Sequence, residues 1–292
     1  IAEPLRVMPD YSLGFVKQTP TSGLPAYGGK GTFFNSVNLS NRGLRGDGNL
    51  DYLTSKTVAK DYIFYLDSMN VHADAFNIQP IASGVEYPRV NAVKVYQHWM
   101  PYQDEMLIFT KKDNMSMYDE ETNLAGMLSL KPSGLTGSGT LNYKVAKMIS
   151  NKYNFKNLTY QCDTVNFIDD GWSLTNFQAN ADYKERKVLF SSNGGTSIVE
   201  FPQNLYICYM DEATWYMDRD ETTYSKKDAT LPEELAGKTR KELADIEIQG
   251  SEFFSVHPGQ DSLTFKSARA SFNSKKKEIR AEGVILLNIA DA

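Results

Sequence analysis

The sequence predicts an all-β protein, an elongated stack of repeated β-sheet units, and three observations predict it. Apolar and polar residues alternate with a period of two, Asp-Gly and Asn-Gly pairs punctuate the alternating runs, and a ten-residue element recurs. Successive side chains of an extended strand point to opposite faces, so period-two alternation makes a two-faced strand and not a two-faced helix.

The clearest run is Phe177, Ala179, Ala181 and Tyr183 against Gln178, Asn180 and Asp182. Residues 32–39, 50–57, 62–78, 141–149, 205–210 and 263–272 alternate in the same way with some irregularities. Asp47-Gly48, Asp170-Gly171 and Asn193-Gly194 are predicted turns, because these residues adopt the positive φ that tight hairpins demand. One helix is predicted, over Leu231–Ala244, where Thr239 and Glu242 fit a capping box. It is short and highly charged, which limits it to a turn or two within a loop.

The recurring element is Gly43-Leu44-Arg45-Gly46-Asp47-Gly48-Asn49-Leu50-Asp51-Tyr52, which returns as Gly134-Leu135-Thr136-Gly137-Ser138-Gly139-Thr140-Leu141-Asn142-Tyr143. Val37 and Leu39 fall on Leu128 and Leu130, and Tyr62 and Phe64 on Tyr153 and Phe155, all 91 residues apart. Farther on, Val85-Glu86-Tyr87-Pro88 matches Val199-Glu200-Phe201-Pro202, and Trp99 with Asp104-Glu105 matches Trp215 with Asp220-Glu221. The spacing there has grown by about 23 residues, so copy two carries an extra strand pair. Ala179, Ala181 and Tyr183 are echoed by Ala268, Ala270 and Phe272. The predicted organisation is a lead-in over residues 1–30, copy one over 31–120, an enlarged copy two over 121–238 and a partial third copy over 239–292. A period this long exceeds one solenoid rung, so each copy holds several strands. The alternative architecture is two tandem β-sandwich domains. Ile1 in place of a starting Met, and residues 283–290 reading as a strand stopped in mid-course, predict a piece of a longer protein.

With 31 basic against 36 acidic residues the formal charge is −5, which argues against a chain-wide nucleic-acid footprint. No apolar run approaches the roughly 20 residues that cross a bilayer as a helix. Lys275-Lys276-Lys277 reads as an exposed turn. Cys162 and Cys208 read as two buried free thiols rather than a disulfide framework.

Catalytic motifs are wanting. Gly43-x-x-Gly46-x-Gly48 lacks the Gly-Lys-Ser/Thr of a phosphate loop and precedes a strand, so its glycines shape a turn or bulge. His72, His98 and His257 stand in no metal-binding or triad spacing, and Asp104-Glu105 and Asp220-Glu221 are adjacent pairs whose side chains diverge on an extended backbone. No enzyme activity, cofactor or metal is predicted. The candidate ligand-binding residues are Trp99, Tyr102, Trp215 and Tyr216, whose rings could stack on sugars; a repeated Trp equally serves as a packing anchor.

On Gly43–Ser55, Val-Glu-aromatic-Pro and Tyr206–Asp211, the chain resembles very large, repetitive, uncharacterised proteins of Gram-negative cell envelopes. The Gly-Leu-x-Gly-x-Gly elements also resemble the open β-groove repeats of envelope lipid-transport proteins. The resemblance implies a periplasmic or cell-surface location and no functional residues. The expected function is a non-catalytic β scaffold, adhesive or layer-spanning, whose partners are glycans or other envelope proteins. A glycan-binding module and a lipid-carrying groove are the alternatives.

Overall fold

The computed structural model describes residues 4–7, 9, 11, 13–230, 232–239, 242, 249–260 and 263–289. It is all-β and antiparallel, and the chain divides into two compact units, Ile1–Lys144 with Lys152–Leu158 and Val145–Asn151 with Thr159–Ala292.

The first unit holds β1 (Arg6–Val7), β2 (Leu13–Gln18), β3 (Leu24–Ala26), β4 (Gly31–Ser40), β5 (Gly43–Tyr52), β6 (Ser55–Phe64), β7 (Met69–Ile78), β8 (Val90–Met100), β9 (Glu105–Phe109), β10 (Met115–Met117), β11 (Thr122–Lys131) and β12 (Gly134–Tyr143). Strand β13 (Ala146–Phe155) has residues in both units. The second holds β14 (Thr159–Asp169), β15 (Trp172–Asp182), β16 (Lys187–Ser192), β17 (Ile198–Phe201), β18 (Tyr206–Cys208), β19 (Glu212–Tyr216), β20 (Glu221–Ser225), α1 (Pro232–Leu235), β21 (Ser251–Ser255), β22 (Thr264–Ser267), β23 (Arg269–Asn273), β24 (Glu278–Glu282) and β25 (Ile285–Asn288).

The long strands serve two neighbours along one edge because they bend in the middle. β4 pairs with β3 through Gly31–Phe33 and with β2 through Ser36–Leu39, and between them Asn35 takes φ +94°. β11 pairs with β10 through Thr122–Leu124 and with β9 through Met127–Leu130, and between them Gly126 takes φ +158°. Opposite each bend lies a glycine of the recurring element, Gly48 facing Asn35 and Gly139 facing Gly126. A Cβ on Gly48 would sit 2.0 Å from the Phe34 carbonyl oxygen, and one on Gly139 would sit 2.2 Å from that of Ala125. Asp47-Gly48 is therefore a bulge inside β5, with a register shift between Gly46 and Gly48, and not the hairpin turn predicted. The other two predicted turns lie where expected, Asp170-Gly171 joining β14 to β15 and Asn193-Gly194 between β16 and β17. Runs 50–57 and 141–149 cross turns at Leu53-Thr54 and Lys144-Val145, where Leu53 and Lys144 hold positive φ without any glycine to mark the break. Likewise 62–78 contains the turn 65–68, and 263–272 breaks at Ala268.

The 91-residue register is structural and begins earlier than residue 31. Phe15 and Met106 face Leu39 and Leu130, while Leu24 and Met115 face Phe33 and Leu124. Tyr27, Gly28 and Gly29 hold positive φ, as do Tyr118, Asp119 and Glu120 at the same step. Residues 13–30 thus hold the place in copy one that β9, β10 and the following turn hold before copy two. In copy two, β18 and β19 stand for β8, 116 residues on: Trp99 faces Met106 and Trp215 faces Thr222. Three additional strands precede them, β15 and the pair β16 and β17 that both lie on it. Val85 is exposed in the loop before β8 whereas Val199 is buried in β17, so that sequence match does not occupy one structural position. The third copy supplies a bent hairpin: β22 and β23 pair with β21 and β20 as β11 does with β10 and β9, and β24 and β25 lie on their other edge. Ala268, Ala270 and Phe272 belong to this hairpin, whereas Ala179 and Ala181 lie on β15.

Tyr62, Tyr153, Phe33, Phe76, Phe167, Phe177 and Phe190 are fully buried at the inward positions of their strands. Tyr62 and Tyr153 donate from their hydroxyls to the carbonyls of Gly48 and Gly139, at 3.4 and 3.3 Å. Cys162 and Cys208 are buried and free, and burial pushes the Cys162 thiol up to about 12. Of the predicted helix, α1 forms one turn; Thr239 and Glu242 make the reciprocal capping-box bonds, and residues 231, 240, 241, 243 and 244 lie outside the described residues, as do Ile1 and Ala290.

Candidate functional site

The predicted ligand-binding residues fall into two aromatic clusters, one in each unit. In the first, β8 carries Trp99 on its inward face between Met69 and Met106. Trp99 is 0% exposed: the Tyr27 ring meets it edge-on at 5.3 Å and the Tyr52 ring lies 5.1 Å away. Gly31 allows this approach, since a Cβ there would stand 2.8 Å from the indole. Trp99 is a packing anchor with no ring face left for a sugar. Tyr102 differs. It sits on the 3-10 turn Pro101–Gln103 between β8 and β9, is 64% exposed, and meets Tyr27 edge-on at 6.0 Å. Beside it Lys30 and Asp104 form an ion pair of 2.7 Å. Burial pushes the Tyr27 hydroxyl up to about 12, and that hydroxyl donates to the carbonyls of Tyr65 and Ser68. An apolar depression of about 220 Å³ adjoins Tyr27, lined by Leu24, Phe33, Leu44 and Phe64.

In the second unit Trp215 is 6% exposed, again an anchor, 5.1 Å from the Phe167 ring. Its indole N–H donates to Asp169 Oδ2 at 3.1 Å. Desolvation raises the Asp169 carboxyl above the usual carboxylate range, opposed by the backbone N–H of Asp170 and the Trp215 indole. Asp169 and Trp172 are register partners flanking the Asp170-Gly171 turn, and Trp172 packs 4.9 Å from Phe167 and 5.5 Å from Tyr224. Tyr216 is half-buried beneath the Arg219 guanidinium, 4.8 Å from its ring centroid. Neither Asp169 nor Trp172 stood out in the sequence. The Asp-Asp-Gly-Trp string marked the turn but not which acid faces inward.

The acids of the repeated pairs, the basic run and the histidines are engaged as follows. Glu105 accepts from the Ser129 hydroxyl at 2.6 Å and pairs with Lys131 at 3.1 Å, which holds its carboxyl below the usual range. Asp220 pairs with Lys275 and Asp170 with Lys277, so two lysines of the basic run tether the turn between β23 and β24. His98 Nδ1 lies 2.5 Å from Asn70 Oδ1, His72 packs on Tyr96, and His257 Nδ1 accepts from the Gly259 N–H. Among the described residues no three His, Cys, Asp or Glu side chains converge as metal ligands, and no helix is long and apolar enough to cross a membrane. A more open hollow of about 640 Å³ in the second unit is lined by Asn204, Tyr206, Phe253, Phe265, Lys276 and Ile279. Chemically, the clusters offer packing, one exposed ring beside an ion pair, and no nucleophile next to a base. Comparison with protein-family models, curated proteins and solved structures returns no match.

Proposed function

We propose that this chain is part of a non-catalytic β scaffold of a larger cell-envelope protein, adhesive or layer-spanning. The observation that carries it is the repeat: one bent hairpin with its flanking short strands recurs, and its conspicuous residues are spent on packing. Buried Trp99 and Trp215, glycines opposite each bend and singly paired acids support a structural use. The envelope assignment rests on the resemblance of the recurring element to large repetitive envelope proteins. Fractionation of the source cells, with an antibody against this segment and with surface proteolysis, tests it. Recovery in the envelope fraction is expected, and recovery in the cytosol overturns the proposal.

Glycan binding is the second reading, favoured by the exposed Tyr102 ring beside Lys30 and Asp104. Aromatic rings flanked by polar groups suit sugar rings. A glycan array probed with the parent and with Tyr102→Ala tests it, and equal profiles would end it. The lipid-carrying groove has less behind it: the apolar depression of about 220 Å³ is below the roughly 300–1,000 Å³ of usual ligand sites, and the hollow of about 640 Å³, though large enough, sets Asn204, Lys276, Lys277 and Glu278 beside its rings.

A further inference from the structure

We infer that the hollow beside β24 takes an extended strand carrying Tyr-x-Phe, as β6 and β13 do. The inference deepens the scaffold proposal and names the partner: the β6-type strand of a further copy of the repeat.

Copies one and two show the place filled. Tyr62 and Phe64 of β6 face Gly46 and Leu44 of β5, and their rings lie 5.0 and 5.2 Å from that of Phe33. A Cβ on Gly46 would stand 3.0 Å from the Phe64 ring, and one on Gly137 2.9 Å from the Phe155 ring. β13 therefore sets on β12 the ring that β6 sets on β5. In this setting Phe33, Leu124 and Leu135 are 1%, 0% and 2% exposed.

The third copy repeats the register without the rings. Phe272 faces Ile279 and Ala270 faces Ala281, as Leu130 faces Leu135 and Leu128 faces Gly137. Phe253 faces Phe265 as Met115 faces Leu124. Here Phe265, Ile279 and Ala281 are all partly exposed, and with Phe253 and Tyr206 they line the hollow of about 640 Å³. Phe253 and Phe265 stack at 4.7 Å and Tyr206 lies 6.1 Å from Phe265, so its floor is aromatic and suits further rings. The rim is already fixed: Lys275 pairs with Asp220, Lys277 with Asp170, and Asn204 Nδ2 donates to the Lys277 carbonyl at 2.8 Å.

Among the described residues β24 is paired along one edge only, with β23. Asn288, the last residue of β25, faces Thr264 at the opposite end of the hairpin from Ile279. None of residues 231, 240, 241, 243–248, 261, 262 and 290–292, which lie outside the described residues, is aromatic, so none of these can supply the two rings. A strand laid antiparallel on β24, with its Phe opposite Ile279 and its Tyr opposite Ala281, would add main-chain hydrogen bonds and cover the aromatic floor. Gly283 follows Ala281 as Gly48 follows Gly46 and Gly139 follows Gly137, and those two carbonyls accept from Tyr62 and Tyr153. The incoming Tyr thus meets Gly283 as its counterpart acceptor. Ala281 stands in the place of a glycine, so the entering rings lie one methyl farther out.

The test uses the full chain and a fluorescein-labelled peptide of sequence Ala146–Phe155, read by anisotropy, with amide exchange locating the site. Saturable binding is expected, with slowed exchange within Glu278–Glu282. In the peptide, Tyr153→Ala or Phe155→Ala should weaken binding by about tenfold or more, and Asn154→Asp, on the opposite face, should leave it within about twofold. No binding, equal binding of the Phe155→Ala or a scrambled peptide, or protection away from β24 overturns the inference. These outcomes are independent of where the protein resides in the cell, so either proposal can fail alone.

Discussion

Replacing Gly48 by alanine tests the bend on which the repeat is built. Gly48 holds φ +141°, and an added Cβ would stand 2.0 Å from the Phe34 carbonyl oxygen and 2.6 Å from Asn35 Cβ. The backbone strain costs about 1–3 kcal/mol, and moving β4 aside to relieve the overlap costs about 1–3 kcal/mol more. The expected loss is therefore about 2–6 kcal/mol. In a unit of about 150 residues, each kcal/mol lowers the melting temperature by about 2–4 °C, so the drop should lie between about 4 and about 24 °C. Near-ultraviolet circular dichroism on heating reads it. Gly43→Ala is the control: φ is +89° but nothing lies within 4 Å of the new Cβ, so only a strain of about 1–2 kcal/mol remains. Gly139→Ala, 91 residues on and 2.2 Å from the Ala125 carbonyl oxygen, should behave like Gly48→Ala. If Gly48→Ala melts within about 2 °C of Gly43→Ala, the steric argument for the bend is wrong.

Four further outcomes follow from the sites. Trp215→Phe removes the indole donor from Asp169 and should cost about 1–3 kcal/mol; in an Asp169→Asn background the loss should shrink, and a double-mutant cycle by urea unfolding measures the coupling. Because the folded Asp169 pKa is raised, its contribution is most favourable below the unfolded value near 4, falls as pH rises through the folded value, and is flat above it; Asp169→Asn should remove that fall from a stability-versus-pH series, and an unchanged series would refute the assignment. Glu105 has the opposite sign, its pKa being lowered chiefly by the Ser129 hydroxyl: its stabilisation is present above about pH 4.3 and lost as pH falls through the folded value, so Glu105→Gln should cost about 1 kcal/mol at pH 7 and progressively less as the pH falls through that value. Cys162, buried and pushed up to about 12, should resist a disulfide reagent at pH 8 until the chain unfolds, and rapid labelling of the native protein would contradict the packing.

Much of the fold was legible because its signals are local or periodic. Alternation marks a strand wherever one face is buried, and residues 32–39 lie within β4 for that reason. Punctuation by glycine succeeded at Asp170-Gly171 and misled at Asp47-Gly48, because positive φ serves a bulge as well as a turn. Leu53 and Lys144 turned the chain without any of the usual turn residues, so the alternation ran through them. The candidate site was legible only as a list. Trp99 and Tyr102 look alike in sequence, and three residues of chain separate a ring sealed by Tyr27 and Tyr52 from one that is 64% exposed.

The sequence by itself determined the β class, the turn at Asp170-Gly171 and the 91-residue register, all of which depend on residue types at short or constant spacings. Only the tertiary structure decided that residues 13–30 belong to the repeat, that Trp99 and Trp215 are anchors, and that Asp169 is the acid drawn inward. The reason is physical. Which neighbour covers a side chain depends on register between strands far apart in the chain, and a single-residue slip exchanges the buried face for the exposed one.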